Sequence, residues 1–308
     1  METQETKESH TPNKYSKAYD KYYKIILIIP LLLLISSIGY LAYFHSQHGD
    51  FIKRDVTLTG GTSITIFVEK QINLDDLNQK LSGQISDFSV KELSDFRTGK
   101  QQAIVIDTSI GSTDSPDYIK LKSFLETYLG HSLTPENSSV ESTGASLGNS
   151  FYNQLRFAII ISFVLMALVV FVIYRSVAPS SIVVLCAFAD IIMTLTLVDL
   201  MGIRVSSAGI IAFLMLIGYS VDTDILLTTR LLRRHGEINH NIFEAFKTGM
   251  TMTLTAIVSV VIALLITRSF SAVLEQIFLI LTIGLCFDIF NTWISNASIL
   301  KWYVERKK

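Results

Sequence analysis

Six long apolar runs stand out along the chain, spanning roughly 24–44, 156–174, 180–201, 205–229, 250–267 and 272–300. Each lies near the ~20 residues that an α-helix needs to cross a hydrocarbon core. The pattern predicts six membrane-spanning helices. The first run is too long for the apolar part of a signal peptide. The sequence after it, AYFHSQHGD, has no small-x-small cleavage site, so it is expected to remain as an anchor.

Between the first and second runs the periodicity changes. TSITIFV alternates, with Ile64, Ile66 and Val68 on one face, which predicts a strand. NLDDLNQKLSG then has Asn73 as N-cap, Asp75 and Asp76 in the first turn, and a stripe of Leu74, Leu77 and Leu81. DFSVKEL and QQAIVID read as further strands. SPDYIKLKSFLETYLG reads as a second helix, capped by Ser115 with Pro116 in its first position, and SSVES as a last short strand. The order β-α-β-β-α-β predicts a ferredoxin-like α+β domain over 45–155, inserted between helices 1 and 2 of a polytopic α-helical membrane protein. It holds no catalytic constellation. His131 stands alone beside a helix end, and Asn137-Ser138-Ser139 is a glycosylation sequon. The rest divides into an N-terminal tail, 1–23, the first helix, 24–44, a five-helix bundle, 156–300, and a C-terminal tail, 301–308.

Composition agrees with a membrane protein: of 308 residues 49% are hydrophobic and 17% charged, with mean hydropathy +0.42. A net charge of −1 gives no reason to expect nucleic-acid binding. Cys186 and Cys286 lie within apolar runs and read as packing residues, not as a disulfide or metal pair. No cofactor or metal is expected.

Charge in the connections sets the expected orientation. Lys14, Lys17, Lys21 and Lys24 precede the first helix. Arg175 lies in the second–third connection, Arg230, Arg233, Arg234 and Lys247 in the fourth–fifth, and Lys301, Arg306, Lys307 and Lys308 at the end. The opposite side has only Arg204 and Arg268 in its short loops. Both termini are therefore expected in the cytoplasm of a multi-pass cell-membrane protein, with 45–155 outside. RLLRRHGEINHNIFEAFKTG, beginning at Arg230, reads as an amphipathic elbow on the cytoplasmic side. Ile242, Phe243 and Phe246 would lie in the bilayer interface and Arg233, Arg234 and Lys247 would meet anionic headgroups.

Six-helix units of this kind are often half of a transporter, completed by a related half. This chain contains no second copy of itself, so any second half is another chain.

Three stretches carry a family resemblance. VTLTGGTSITI, from Val56, resembles a strand-opening motif of the type V-D-[FL]-x-G-G, matched by Leu58, Gly60 and Gly61 but with Thr57 in place of Asp. STGASLGNSF resembles a Gly-containing hinge before the second helix. GYSVDTDILLTTRLLRR resembles an acidic fourth-helix motif closed by Arg230. On these the chain resembles the SecD–SecF protein-export family, on its SecF side and in its archaeal form, within the resistance–nodulation–division transporter group. The resemblance implies an accessory subunit of the Sec machinery with a SecD-like six-helix partner, the translocation channel and exported chains as further partners, and no enzymatic activity. The bacterial SecF form of the motif places its acid at Thr223 and the SecD form at Asp222. Here Asp222 and Asp224 are both present.

A carboxyl facing lipid costs roughly 2.5–3.5 kcal/mol on insertion scales, so acids inside the runs call for a function. Asp222 precedes Arg230 by about 12 Å of helix rise, and Asp190 and Asp288 lie near the middle of the third and sixth runs. These three are expected to converge. Asp224, about 200° round the helix from Asp222, would then face elsewhere and pair with Arg230 or a neighbour. Asp199 reads as a solvated end residue and Glu275 as interfacial. Converging acids that exchange protons would let a gradient bias a two-state bundle and move the external domain. The competing readings are structural acids hydrogen-bonded to Thr194, Thr196, Thr223, Thr255, Ser259 or Asn291, a passive scaffold, a stand-alone exporter, and an intramembrane aspartyl protease using Asp190 and Asp222.

Overall fold

The computed structural model describes residues 22–307, apart from 69, 86, 96 and 234–236. The tail expected over 1–23, with Lys14, Lys17 and Lys21, lies almost wholly outside the described residues, as do Arg234 and Lys308. Among the described residues six helices are long and apolar enough to cross a membrane.

Helix α1 (Ile28–His48) leads into a short helix α2 (Val56–Thr59) and the α+β domain. The domain comprises β1 (Gly61–Phe67), α3 (Leu74–Ser82), β2 (Phe88–Ser94), β3 (Gln101–Thr108), α4 (Pro116–Leu129) and β4 (Ser138–Thr143). Its caps follow from the sequence. Asn73 Oδ1 accepts the Asp75 N–H at 2.9 Å, and Ser115 Oγ accepts that of Tyr118 at 3.2 Å.

The sheet order is β2-β3-β1-β4 with every neighbouring pair antiparallel. Thus α3 joins two parallel strands split by β3, and α4 joins two split by β1. Ile64 and Ile66, opposite Ile106 and Ile104, face the helices and bury Leu77, Leu81, Leu121 and Leu125. Full burial of each such side chain is worth about 1.5–3 kcal/mol. The other sheet face is turned towards the membrane helices. There Leu93, Ala103 and Val105 pack against Ala272.

The bundle consists of α5 (Ala145–Tyr174), α6 (Val177–Leu200), α7 (Ser207–Arg233), α8 (Ile238–Thr267) and α9 (Ala272–Phe290). A π-helical turn, Asn291–Asn296, follows, and then α10 (Ala297–Lys307). The helix therefore continues through the residues read as a C-terminal tail, and α5 begins before the apolar run that it carries. Helix α7 is central and touches α5, α6, α8 and α9, while α1 lies against α6.

Three expectations about single residues are corrected. Asp199 is not solvated: it is 2% exposed, and its Oδ2 accepts the Tyr40 hydroxyl of α1 at 2.7 Å. A carboxyl at the end of α6 thus finds a donor on α1. Ile242 is buried against Leu227, Leu231 and Ala245, so only Phe243 and Phe246 of the elbow's apolar residues face outwards. Cys186 is buried, but Cys286 is exposed on the bundle surface.

Candidate functional site

The acids meet in one layer, but not with the expected membership. Asp190 on α6, Asp224 on α7 and Asp288 on α9 are respectively 0%, 0% and 1% exposed. Asp222 is exposed, and no hydrogen bond or ion pair of the described residues reaches it. The phase of α7 is thus opposite to the one expected, with Asp224 inside and Asp222 outside. Its inward face is instead fixed by Leu216, Ser220, Thr223, Leu227 and Thr228, and Asp224 continues that stripe.

Each of the three carboxyls has at least one oxygen within reach of a hydrogen-bond donor. Ser220 Oγ donates to Asp190 Oδ2 at 2.5 Å, and Asn291 Nδ2 to Asp190 Oδ1 at 2.7 Å. Asn296 Nδ2 donates to Asp224 Oδ1 at 2.6 Å. Thr292 Oγ1 lies 2.9 Å from Asp224 Oδ1 and 3.2 Å from Asp288 Oδ1. Thr223 Oγ1 lies 3.2 Å from Asp288 Oδ2 and 2.9 Å from the Ser220 carbonyl.

A threonine hydroxyl has a single hydrogen. Thr292 can hold both carboxyl oxygens by sharing that hydrogen, or by donating to one and accepting from the other when that carboxyl carries a proton. Among the described residues no Lys, Arg or His forms an ion pair with any of the three acids. Asp224 Oδ2, Asn296 Oδ1, Thr194 Oγ1 and Thr228 Oγ1 are buried without a protein partner. A layer of this kind can hold protons and redistribute them.

Asn291, Thr292 and Asn296 come from the π-helical turn. The wider turn carries them around the helix differently from an α-helix, and such turns recur at functional sites. Of these residues only Asn291 is conspicuous as a donor from sequence. The available signal was the Asn-to-Asn spacing of five within an apolar run. Thr255 and Ser259 instead bond to the backbone of their own helix. Arg230 does not pair with Asp224, and its guanidinium donates to Thr248 Oγ1 on α8 at 2.9 Å. Among the described residues no group of His, Cys, Asp and Glu is arranged to hold a metal ion.

The layer is tied to the α+β domain through the N-terminal end of α7. The segment before α2 pairs with the α6–α7 loop: Asp55 N–H donates to the Val205 carbonyl at 3.0 Å, and Val205 N–H to that of Lys53 at 2.7 Å. Thr57 Oγ1 accepts the Ser207 N–H at 3.0 Å. At the position where the resembled motif has Asp, Thr57 therefore supplies an acceptor to the first turn of α7. On α9, Gln276 takes the Ser206 hydroxyl and donates to the Arg204 carbonyl at 2.6 Å.

The two motif glycines work beside this joint. Gly60 has φ +85° and Gly61 φ +150°, and a Cβ on Gly60 would run into the backbone of Gly144 and Ala145. Facing them is Gly148 of α5, where a Cβ would sit 2.7 Å from Gly60 N. Leu58 is fully buried in the bundle's core. Asp55 caps α2 through the Val56 N–H at 2.7 Å. Burial pushes its carboxyl above the usual range, Asp107 adds to the rise, and Lys91 and Arg204 oppose it.

These features define a multi-pass membrane protein whose buried acid layer is joined to an α+β domain. A family model described as "Protein export membrane protein SecD/SecF, C-terminal" matches residues 125–306. The chain belongs to this protein-export family. It is 38% identical over 288 residues to the protein-export membrane protein SecF of Methanocaldococcus jannaschii, covering 92% of this chain and 96% of that one. To SecF of Methanothermobacter thermautotrophicus it is 35% identical over 289 residues, covering 92% and 94%. The crystal structure of SecDF, a translocon-associated membrane protein from Thermus thermophilus, superposes with a TM-score of 0.72 at 17% identity. The match covers 92% of this chain and 38% of that one, and it shows the shared fold.

Proposed function

We propose that this chain is an accessory subunit of the Sec export machinery, working with a SecD-like six-helix partner to promote the release of exported chains. Its termini lie in the cytoplasm and its α+β domain outside. Protonation and deprotonation of the layer formed by Asp190, Asp224 and Asp288 bias the packing of α6, α7 and α9. Because α7 begins at the domain's root, a shift of that helix re-aims the domain.

The observation that carries this reading is the Thr292 hydroxyl between Asp224 and Asp288, which sets two buried carboxyls around a single donor hydrogen. Arg230 stands apart from the layer and serves the α7–α8 contact. Asp224, in place of Asp222, is the fourth-helix acid of the mechanism.

Asn keeps the shape of Asp but cannot ionise. Asp224→Asn should therefore leave the chain folded and bound to its partner, and abolish the part of export that responds to an imposed proton gradient in vesicles. An Asn variant that keeps a full gradient response would end the proton-coupled reading and leave the layer a structural one.

A further inference from the structure

A groove of about 920 Å³ runs between α5 and α6. Its lining reaches from Tyr152 to Phe171 on α5 and from Val177 to Leu195 on α6. That is about 28 Å of helix, nearly the ~30 Å of a hydrocarbon core. Ile210 and Phe213 of α7 close its floor in the half nearer the α+β domain. The lining is apolar except for Tyr152 and Arg156 at the domain end and Ser180 and Ser181 at the other. The Ser180 hydroxyl is spent on the Ser176 carbonyl, one turn back, at 2.8 Å. Charge therefore stands at one end only.

The charged end is built around Tyr152. Its hydroxyl donates to Asp50 Oδ1 at 2.6 Å, and Asp50 Oδ2 takes Arg54 Nε at 2.8 Å. Arg54 lies 4.9 Å from the centre of the Tyr152 ring and Arg156 lies 5.7 Å from it. Asp50 neutralises Arg54. Arg156 is exposed, and among the described residues no carboxylate pairs with it. It opens the second apolar run, so its guanidinium stands at the boundary between hydrocarbon and headgroups.

A cation at the mouth of a long apolar slot matches an amphiphile with one anionic head and a hydrocarbon chain. A helix of another chain fits these walls poorly. Close helix packing in a membrane needs small residues, and the exposed wall positions are Ile160, Val164, Phe171, Leu185 and Phe188. A flexible chain can settle between such bulky side chains. We propose that the groove holds one chain of an anionic membrane lipid from the leaflet on the domain's side, with its phosphate paired to Arg156. One leaflet is about 15 Å deep, which matches the half of the groove floored by Ile210 and Phe213. Ile191, next to Asp190, lies in the same wall, so the bound chain braces α6 behind the acid layer.

The test uses the full-length chain, purified in detergent and titrated under native mass spectrometry. The probes are dioleoyl phosphatidylglycerol, the zwitterionic dioleoyl phosphatidylcholine, and inorganic phosphate. Phosphatidylglycerol should bind roughly fivefold more tightly than phosphatidylcholine, the worth of one arginine at an anionic surface, and phosphate alone should not be retained. Arg156→Gln should erase that preference and leave phosphatidylcholine binding unchanged. Arg156→Lys, which keeps the charge, should keep most of it, and Arg306→Gln, at an exposed arginine of α10, should keep all of it. Ala167→Trp narrows the groove about 16 Å below Arg156 and should weaken both lipids alike. A photo-crosslinking amino acid at Val164, which is 60% exposed, should capture lipid and no protein when the chain is co-expressed with the SecD-like chain of the same genome.

Equal affinity of the wild-type chain for the two lipids would overturn the proposal, and so would a preference that survives Arg156→Gln. Retention of inorganic phosphate by itself would mark a free-anion site instead. A protein adduct at Val164 would make the groove a helix-docking face. A preference lost in Arg156→Lys as fully as in Arg156→Gln would show that charge is not what the site reads, and would overturn the proposal as well. None of these outcomes depends on whether export responds to a gradient, so the lipid site and the coupling mechanism stand or fall separately.

Discussion

Gly148→Ala tests whether the α+β domain and the membrane bundle move through one joint. The added methyl would lie 2.7 Å from Gly60 N and 3.1 Å from the carbonyl carbons of Leu58 and Thr59. All three are backbone atoms, so no side chain can rotate away. Inserting a methyl into such a contact costs about 1–3 kcal/mol. Replacing Gly by Ala inside a helix returns roughly 0.5–1 kcal/mol. The net effect is a weakening of the root by roughly 0.5–2 kcal/mol, or about 2- to 30-fold in its opening equilibrium.

Hydrogen exchange reads that opening directly. The Leu58, Thr59 and Gly60 amides, which donate to Asp55 and Val56 carbonyls in α2, should exchange faster by that factor. Amides of β3, in the middle of the sheet, should not change. Gly144→Ala is the control, since a Cβ there meets nothing within 4 Å and should change exchange only slightly. If Gly148→Ala and Gly144→Ala exchange alike at α2, the root is not packed on α5 and the joint described above is wrong.

Other outcomes follow from neighbouring groups. Asp55 binds a proton more tightly folded than unfolded, so its contribution to stability is present below the ordinary value of 3.8 and is lost as pH rises through its raised value. Asp55→Asn, which keeps a capping oxygen, should therefore stabilise the full chain at neutral pH, with the gain vanishing in thermal melts at low pH. Asp107 is 2% exposed and accepts from Ser63, Ser89 and Lys91, so Asp107→Ala should cost about 1–3 kcal/mol in urea unfolding of the α+β domain. The Arg204–Asp87 pair at 2.8 Å is half-exposed, and Arg204→Ala should cost at most about 1 kcal/mol, less in high salt. A cysteine at Ser115 should label only from outside and one at Glu237 only from the cytoplasm; labelling from one side would overturn the orientation.

The six spanning helices and the alternation of strands and helices between the first two were legible because each depends on local periodicity. Ile64 and Ile66 point the same way in any strand, and Asn73 and Ser115 cap their helices with atoms a few residues away. The sheet order is also implied by β-α-β-β-α-β once both helices must cover one face.

The acid layer was legible only in part. Asp190 and Asp288 were placed in it because each is the one carboxyl near the middle of its run. The choice between Asp222 and Asp224 was not available from sequence. In a soluble helix the polar face marks the outside, but α7 is apolar towards lipid as well as towards its neighbours, so its pattern carries little information about phase. What turned Asp224 inwards lies far along the chain: Thr292 and Asn296, brought to the layer by a π-helical turn whose wider spacing no α-helical pattern predicts. Donors on the π-helical turn that follows α9 face Asp224 on α7, and only the packed bundle brings the two together.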